Sequence, residues 1–196
     1  MTIDLPDQAA AKIRYAYKAS LIGAARQFEL TDDGLSWRAG NRSGICPYLD
    51  IAAIRLSYRP VSMQSRRFRA DIECANAQRI VILSTSWQTV ALMAPQDCDY
   101  RAFITQLHEG MAKAGSRAAL TGGITPTAYA LGIALLALLG IAIAGLLVRA
   151  IGTGEWAGAL FLVGFATLFA WQSGGIFVRN RPLAYTFDHL PQALLP

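Results

Sequence analysis

In "FELTDDGLSW" the side chains alternate: Phe28 and Leu30 share one face, and Leu35 and Trp37 resume the alternation after Asp33-Gly34. A period of two is the mark of a half-buried strand, and Asp-Gly is a favoured two-residue hairpin turn. With Asp33 and Gly34 as the turn, Leu30 is expected to face Trp37. "LDIAAIRLSYRP" sets Ile54, Leu56 and Tyr58 on one face, and "RRFRADIECA" sets Phe68, Ala70, Ile72 and Cys74 on one face. "RIVILST" and "QTVALMA" are apolar on both faces or nearly so and predict central strands. With strands near 15–21 and 44–48 the total is seven or eight. After Pro95 the period changes. Tyr100, Phe103, Ile104, Leu107 and Met111 recur at helical spacing, which predicts an amphipathic helix over 98–114 with Asp97 or Asp99 at its start.

A different pattern follows. From residue 127 to 178 the only charged residues are Arg149 and Glu155. Residues 127–148 and 156–178 are uncharged, and as helices each would be about 33–35 Å long, enough for a hydrocarbon core of about 30 Å. Neither shows the polar stripe that a helix at a solvated core surface carries. The pattern predicts two transmembrane helices joined by "RAIGTGE", with Gly152 and Gly154 ending helices and Arg149 near the last carbonyls of the first. Lys113 and Arg117 precede the first span, Arg179 and Arg181 follow the second, and Arg149 alone lies in the turn. Four against one places both ends on the cytoplasmic side. Tyr129, Trp156 and Trp171 are expected as interfacial anchors. Gly140 with Ala144, and Ala166 with Ala170 and Gly174, line small residues along helix faces, which favours close packing within the hairpin ahead of oligomer formation. Gln172 and Ser173 read as interfacial, and the spans hold no acid, base or His that would mark an ion pathway.

Composition sharpens this division. Hydrophobic residues make up 54% of the chain and charged residues 16%, against about 25% charged in ordinary soluble domains, so the shortage of charge belongs to the spans. The first residues carry Asp4 and Asp7 and no apolar core, unlike an export signal. Cys46, Cys74 and Cys98 are odd in number, without CxxC spacing, and read as reduced cytosolic thiols, with neither a disulfide nor a metal site expected.

"LTDDGLSWRAG…CPYLDIAAIRLSYRP" resembles the bacterial pleckstrin-homology-like (PH-like) domains, in which a T-x-x-G-hydrophobic hairpin precedes a P-Y-x-x-I segment. The matching positions are Thr31, Gly34, Leu35, Pro47, Tyr48 and Ile51, and the likeness covers residues 12–115. It implies an antiparallel β-barrel or sandwich of about seven strands closed by one C-terminal helix, often joined to membrane helices. It brings no catalytic residue with it. The expected fold is therefore an α+β membrane protein: an N-terminal arm (1–11), a cytoplasmic PH-like domain (12–115), a linker (116–126), transmembrane helices over 127–148 and 156–178 around a periplasmic turn (149–155), and a cytoplasmic tail (179–196). The location that follows is a bacterial inner membrane.

The densest charge lies in "RLSYRPVSMQSRRFRADIE". If its two strands pair as a hairpin, one register that matches the faces sets Arg55 opposite Asp71 and Arg59 opposite Arg67. The first pair neutralises itself, whereas the second, with Arg66, concentrates positive charge at the loop. Arg59, Arg66 and Arg67 are thus candidates for binding anionic lipid headgroups or an acidic protein partner. Weighed against this is a solvated face with the ordinary cytoplasmic excess of basic residues. Nucleic acid is not expected, since the net charge is a modest +5 and no stacking aromatics interleave with the arginines beyond the inward Phe68. His108 and Glu109 are adjacent on a helix and do not face one another, and no nucleophile motif, metal-ligand spacing or phosphate loop occurs. No enzyme activity, cofactor or metal is expected. The sequence reads as a membrane-tethered binding, scaffolding or regulatory module. The alternative is a hairpin subunit of an oligomeric channel or transport assembly. The tail, "RNRPLAYTFDHLPQALLP", is apolar enough to be expected back on the domain or the membrane surface.

Overall fold

The computed structural model describes residues 13–21, 23–60, 66–89 and 92–196. The N-terminal arm lies outside them. Where the sequence alternates, strands form. β1 (Arg14–Tyr17), β2 (Arg26–Leu30), β3 (Gly34–Ala39) and β4 (Arg42–Pro47) make a four-stranded antiparallel meander. A short 3₁₀ turn, Tyr48–Asp50, leads to β5 (Ile51–Tyr58), β6 (Phe68–Cys74) and β7 (Arg79–Leu83), again antiparallel neighbours. β8 (Thr85–Trp87) and β9 (Met93–Pro95) form a separate hairpin, followed by α1 (Asp97–Lys113). β10 (Ala119–Gly122) and β11 (Leu183–Ala184) extend the second sheet in the order β11-β10-β5-β6-β7. The protein is α+β, and neither sheet closes on itself, so of the expected barrel or sandwich the closed barrel is absent among the described residues.

Side chains bridge the seam that the backbone leaves open. β1 and β7 are edges of different sheets, and the hydroxyls of Tyr15 and Tyr17 donate to the carbonyls of Leu83 and Val81. Tyr17 stacks on Phe28, and Tyr15 and Phe28 both meet Phe103 of α1. The apolar stripe of α1, Tyr100, Phe103, Ile104, Leu107 and Met111, is wholly buried in the same core as Ile54, Leu56, Ile72 and Ile82. The helix begins one residue earlier than its pattern predicts. Gln96 is the N-cap, with no side-chain cap, while Asp97 and Asp99 lie in the first turn, where the helix dipole favours negative charge.

Three expectations are corrected. Leu30 pairs with Leu35 and Phe28 with Trp37, a shift of two residues from the expected register, so the same faces point inward. The turn is Thr31–Gly34, held by the Thr31 amide donating to the Gly34 carbonyl at 2.9 Å and by the Thr31 hydroxyl on Gly34. "QTVALMA" does not form a central strand in its described part, residues 90 and 91 lying outside it: the Gln88 and Thr89 amides donate to the Leu92 carbonyl, and only Met93 onward pairs with β8. Cys46 and Cys74, expected as reduced thiols, form a disulfide between β4 and β6, leaving Cys98 as the free, exposed cysteine. Both paired cysteines point inward, at 2% and 3% exposure, where the short turn between β4 and β5 joins the two sheets.

Two compact units emerge: residues 1–121 with 184–196, and residues 122–183. The chain leaves the first along β10 and re-enters it along β11. The expected tail therefore belongs to the domain: Leu194 and Leu195 are in its core, and Tyr185, Phe187 and Leu190 pack against it. Arg101 on α1 donates to the Pro196 carbonyl at 2.7 Å and to Gln192 at 2.9 Å.

The second unit is a pair of helices, α2 (Pro126–Gly152) and α3 (Trp156–Arg179), of 27 and 24 residues. Both are long and apolar enough to cross a membrane. The first is longer than its uncharged stretch, because "RAIG" stays helical and Thr153–Glu155 alone makes the turn. Gly154 adopts the positive φ that the turn needs, 75°. The helices approach at Gly132, where a Cβ would collide with the Phe177 ring, and Tyr129 packs on Phe177 as well. Gly140 has open space beside it and Ala144 is exposed, so that face takes no part in packing within the hairpin.

Gly34 tests the sheet junction. A side chain there would run into the Cys46 carbonyl and approach Pro47 Cα to 2.7 Å, both backbone. Gly34→Ala is expected to destabilise the domain by about 1–3 kcal/mol, read as a lower thermal midpoint of the detergent-solubilised chain.

Candidate functional site

β5 and β6 form a regular ladder that fixes the arginines. Arg55 is opposite Asp71 and Tyr58 opposite Phe68. One pair further, the Arg59 amide donates to the Arg67 carbonyl at 2.8 Å. The expected register is therefore present, with the first pair's partner changed: Asp71 is gripped by Arg69 on the same strand, at 2.8 and 3.0 Å from Nε. Arg69 thus shields the carboxylate that Arg55 was expected to neutralise.

The three candidates separate into two groups. Arg59 and Arg66 are exposed. Arg67 is half-buried, its Nε donating to the Thr85 hydroxyl at 3.1 Å and a terminal nitrogen touching Met93 Sδ at 3.1 Å. Burial pulls its pKa down from the ordinary arginine value, with the Tyr17 hydroxyl opposing the shift and Arg69 adding to it. A guanidinium held this way braces the β8–β9 hairpin. It is not displayed with Arg59 and Arg66.

A second strand set contributes what the sequence did not suggest. The Lys18 amide donates to the Ser86 hydroxyl at 3.0 Å, and the Trp87 amide donates to the Lys18 carbonyl at 3.1 Å. Arg26 reaches the Tyr17 hydroxyl at 3.5 Å. The residue after β1, Lys18, and the residue before β6, Arg67, thus both bond to the β8–β9 hairpin, with Arg59 beside Arg67 and Arg26 beside Tyr17. Burial raises the Tyr17 pKa despite Arg26, Arg69 and Arg67, so its hydroxyl remains a donor among these cations. No sequence spacing links residues 18, 59 and 87; only the sheet junction does.

Two other places carry polar groups of note. On the outward face of β1–β4, the small side chains of Ala16, Ser36 and Ser43 leave an open groove of about 710 Å³ bordered by Arg14, Glu29 and Arg38. Arg14 and Glu29 pair there at 3.5 Å. His108, the histidine of the predicted helix, is buried. Its Nδ1 lies 2.7 Å from the Ile104 carbonyl and its Nε2 3.0 Å from the Tyr185 hydroxyl. A carbonyl only accepts, so Nδ1 carries the proton and Tyr185 donates to Nε2. Phe187 packs on the ring edge-on. Among the described residues, no three His, Cys, Asp or Glu side chains converge as a metal site would require. No family model, curated protein or solved structure matches this chain.

Burial lowers the His108 pKa, partly offset by the Ile104 hydrogen bond. The unfolded chain then takes up a proton that the folded chain resists, so this site's contribution is complete above about 6.5 and is lost as pH falls toward the lower folded value. Thermal melts over that range are expected to show wild type losing stability on acidification more steeply than His108→Gln.

Proposed function

We propose that this chain is a membrane-anchored binding module. In this reading the α2–α3 hairpin spans a bacterial inner membrane twice, and the globular unit, on the cytoplasmic side, offers its cationic loop end to an anionic ligand, a lipid headgroup or an acidic protein. The observation that supports it is that the segments bearing Lys18 and Arg67 both bond to the β8–β9 hairpin, Lys18 through its backbone to Ser86 and Trp87 and Arg67 through its side chain to Thr85, with Arg59 bonded backbone to backbone beside Arg67. The stretches 18–25, 59–67 and 87–93 contain no Asp or Glu. Basic residues placed beside an anionic leaflet gain about 1 kcal/mol each. Kinship with the PH-like domains is part of the proposal, supported by the order of strands, two antiparallel meanders and one helix packed into their core.

The test compares the intact chain in mild detergent with Arg59→Glu/Arg66→Glu, identifying the lipids and proteins that co-purify and that salt releases. Anionic components present with wild type and lost from the variant are the expected result. Identical sets for both would remove the reading.

One observation favours a second orientation. Disulfides persist in oxidising compartments and are rare in the cytosol, and Cys46 and Cys74 are paired, whereas the basic residues flanking the helices favour the cytoplasmic side. Cys98, free and exposed, reports directly on the choice. Spheroplasts treated with a membrane-impermeant maleimide are expected to leave Cys98 unlabelled until they are lysed. Labelling before lysis would place the domain on the oxidising side.

A further inference from the structure

We propose that the free edge of β4 is a docking site for an extended, acidic protein segment, which joins the β1–β4 sheet as a fifth strand. β4 is the last strand of that sheet, in the order β1-β2-β3-β4, so one row of its backbone groups has no neighbouring strand. Which groups these are follows from the ladder. The Leu30 amide donates to the Ile13 carbonyl at 3.1 Å, so Phe28 and Leu30 turn their backbone groups to β1, and the alternate residues Gln27 and Glu29 turn theirs to β3. Gln27 pairs with Arg38 and Glu29 with Ser36, which leaves Leu35, Trp37 and Ala39 to bond their partners Cys46, Gly44 and Arg42 on β4. The β3–β4 hairpin agrees. Its loop is Gly40-Asn41, with a φ of 61° at Gly40, and the pair that closes a two-residue loop exchanges both bonds. Ser43 and Ile45 therefore direct their amides and carbonyls out of the sheet, and among the described residues nothing bonds to them there.

Donors and acceptors alternating at strand spacing are matched by the backbone of another strand. Natural edges are commonly blunted by charge or proline, and β4 has one of each at its ends: Arg42 begins it, and Pro47, which has no amide hydrogen, closes it. Between them Ser43, Gly44 and Ile45 carry no charge, and the Ile45 side chain stands 59% exposed. A residue opposite Ile45 on an added strand thus gains an apolar neighbour. The charge of the added strand follows from what flanks the edge. Residues 34–47 contain Arg38 and Arg42 and no Asp or Glu, and both arginines are exposed. Arg42 stands directly across from the new strand, where an opposite charge is favourable and a like charge is not. A second copy of this chain, paired through its own β4, brings two more arginines and no acid to that place. Charge complementarity therefore favours a separate acidic segment.

The test uses the full chain in mild detergent and a short fluorescein-labelled peptide that alternates glutamate and valine, read by fluorescence polarisation. The expected result is saturable binding that disappears when lysine replaces glutamate or when the peptide amides are N-methylated, and that weakens about fivefold in Arg42→Glu. Ile45→Pro removes an outward amide that β3 does not use, so this variant is expected to keep the wild-type thermal midpoint and to lose the peptide. If its midpoint falls, the N-methylated peptide and Arg42→Glu still decide the matter. No saturable binding to wild type would overturn the proposal, as would equal affinity for the N-methylated peptide or for the lysine peptide. A wild-type dimer that Ile45→Pro splits, with no peptide bound, would give the edge to a second copy and overturn it as well. Arg59 and Arg66 are unaltered throughout, so a failure at β4 leaves the reading of those residues standing.

Discussion

Two tyrosine hydroxyls hold this domain shut. β7 ends its sheet with carbonyls pointing away from β6, and a buried carbonyl without a donor costs about 1–3 kcal/mol. Tyr15 and Tyr17 of β1 supply the donors at Leu83 and Val81. Burial raises the pKa of both phenols, so they stay protonated and keep donating. Their rings are at the same time the floor on which Phe28 and Phe103 pack. The same contact thus closes the seam and seats α1. It also sets the end of β1 beside β8, and this placement brings Lys18 to the hairpin that Arg67 braces.

The opposite constraint comes from the end of the chain. A pair of apolar helices follows β10, yet the chain returns through β11 and buries Leu194 and Leu195 in the core it left. His108 and Arg101, two polar residues of α1, are both spent on this return: one accepts from Tyr185, the other holds Gln192 and Pro196. The hairpin is consequently an insertion between two strands of one sheet. Gly123 marks its base, with φ of 80° and no room for a side chain against the Asn180 and Arg181 carbonyls, while the Ile124 amide bonds to the Asn180 carbonyl. The two ends of the insertion are thereby held against each other.

Charge at the loop end is decided by which cations find partners. Arg69 closes on the Asp71 carboxylate, which offsets its charge, whereas Arg67 bonds the neutral Thr85 hydroxyl and keeps its own. Arg59 and Arg66 are exposed, and Lys18 is added from a distant part of the sequence. Exposed single charges contribute little to stability.

By itself the sequence determined whatever depends on local period and composition. Alternation located the strands from 26 to 74 and the faces they bury, the helical repeat located α1 and its five core residues, and the two uncharged runs located α2 and α3. For β5 on β6 alternation fixed the faces, since a shift of one residue would have turned every apolar side chain outward, and of the registers that match those faces the one with Arg59 beside Arg67 forms. A shift of two preserves the faces, so the pairing of Leu30 with Leu35 was decided by the Thr31 hydroxyl and the crowding at Gly34. Tertiary structure alone decided the rest: the Cys46–Cys74 pair, 28 residues apart, the burial of His108, the absorption of the tail into the core, and the meeting of Lys18 with the hairpin that Arg67 bonds. Each is a contact between residues far apart in sequence, and neither periodicity nor composition carries information on which distant segments share an edge.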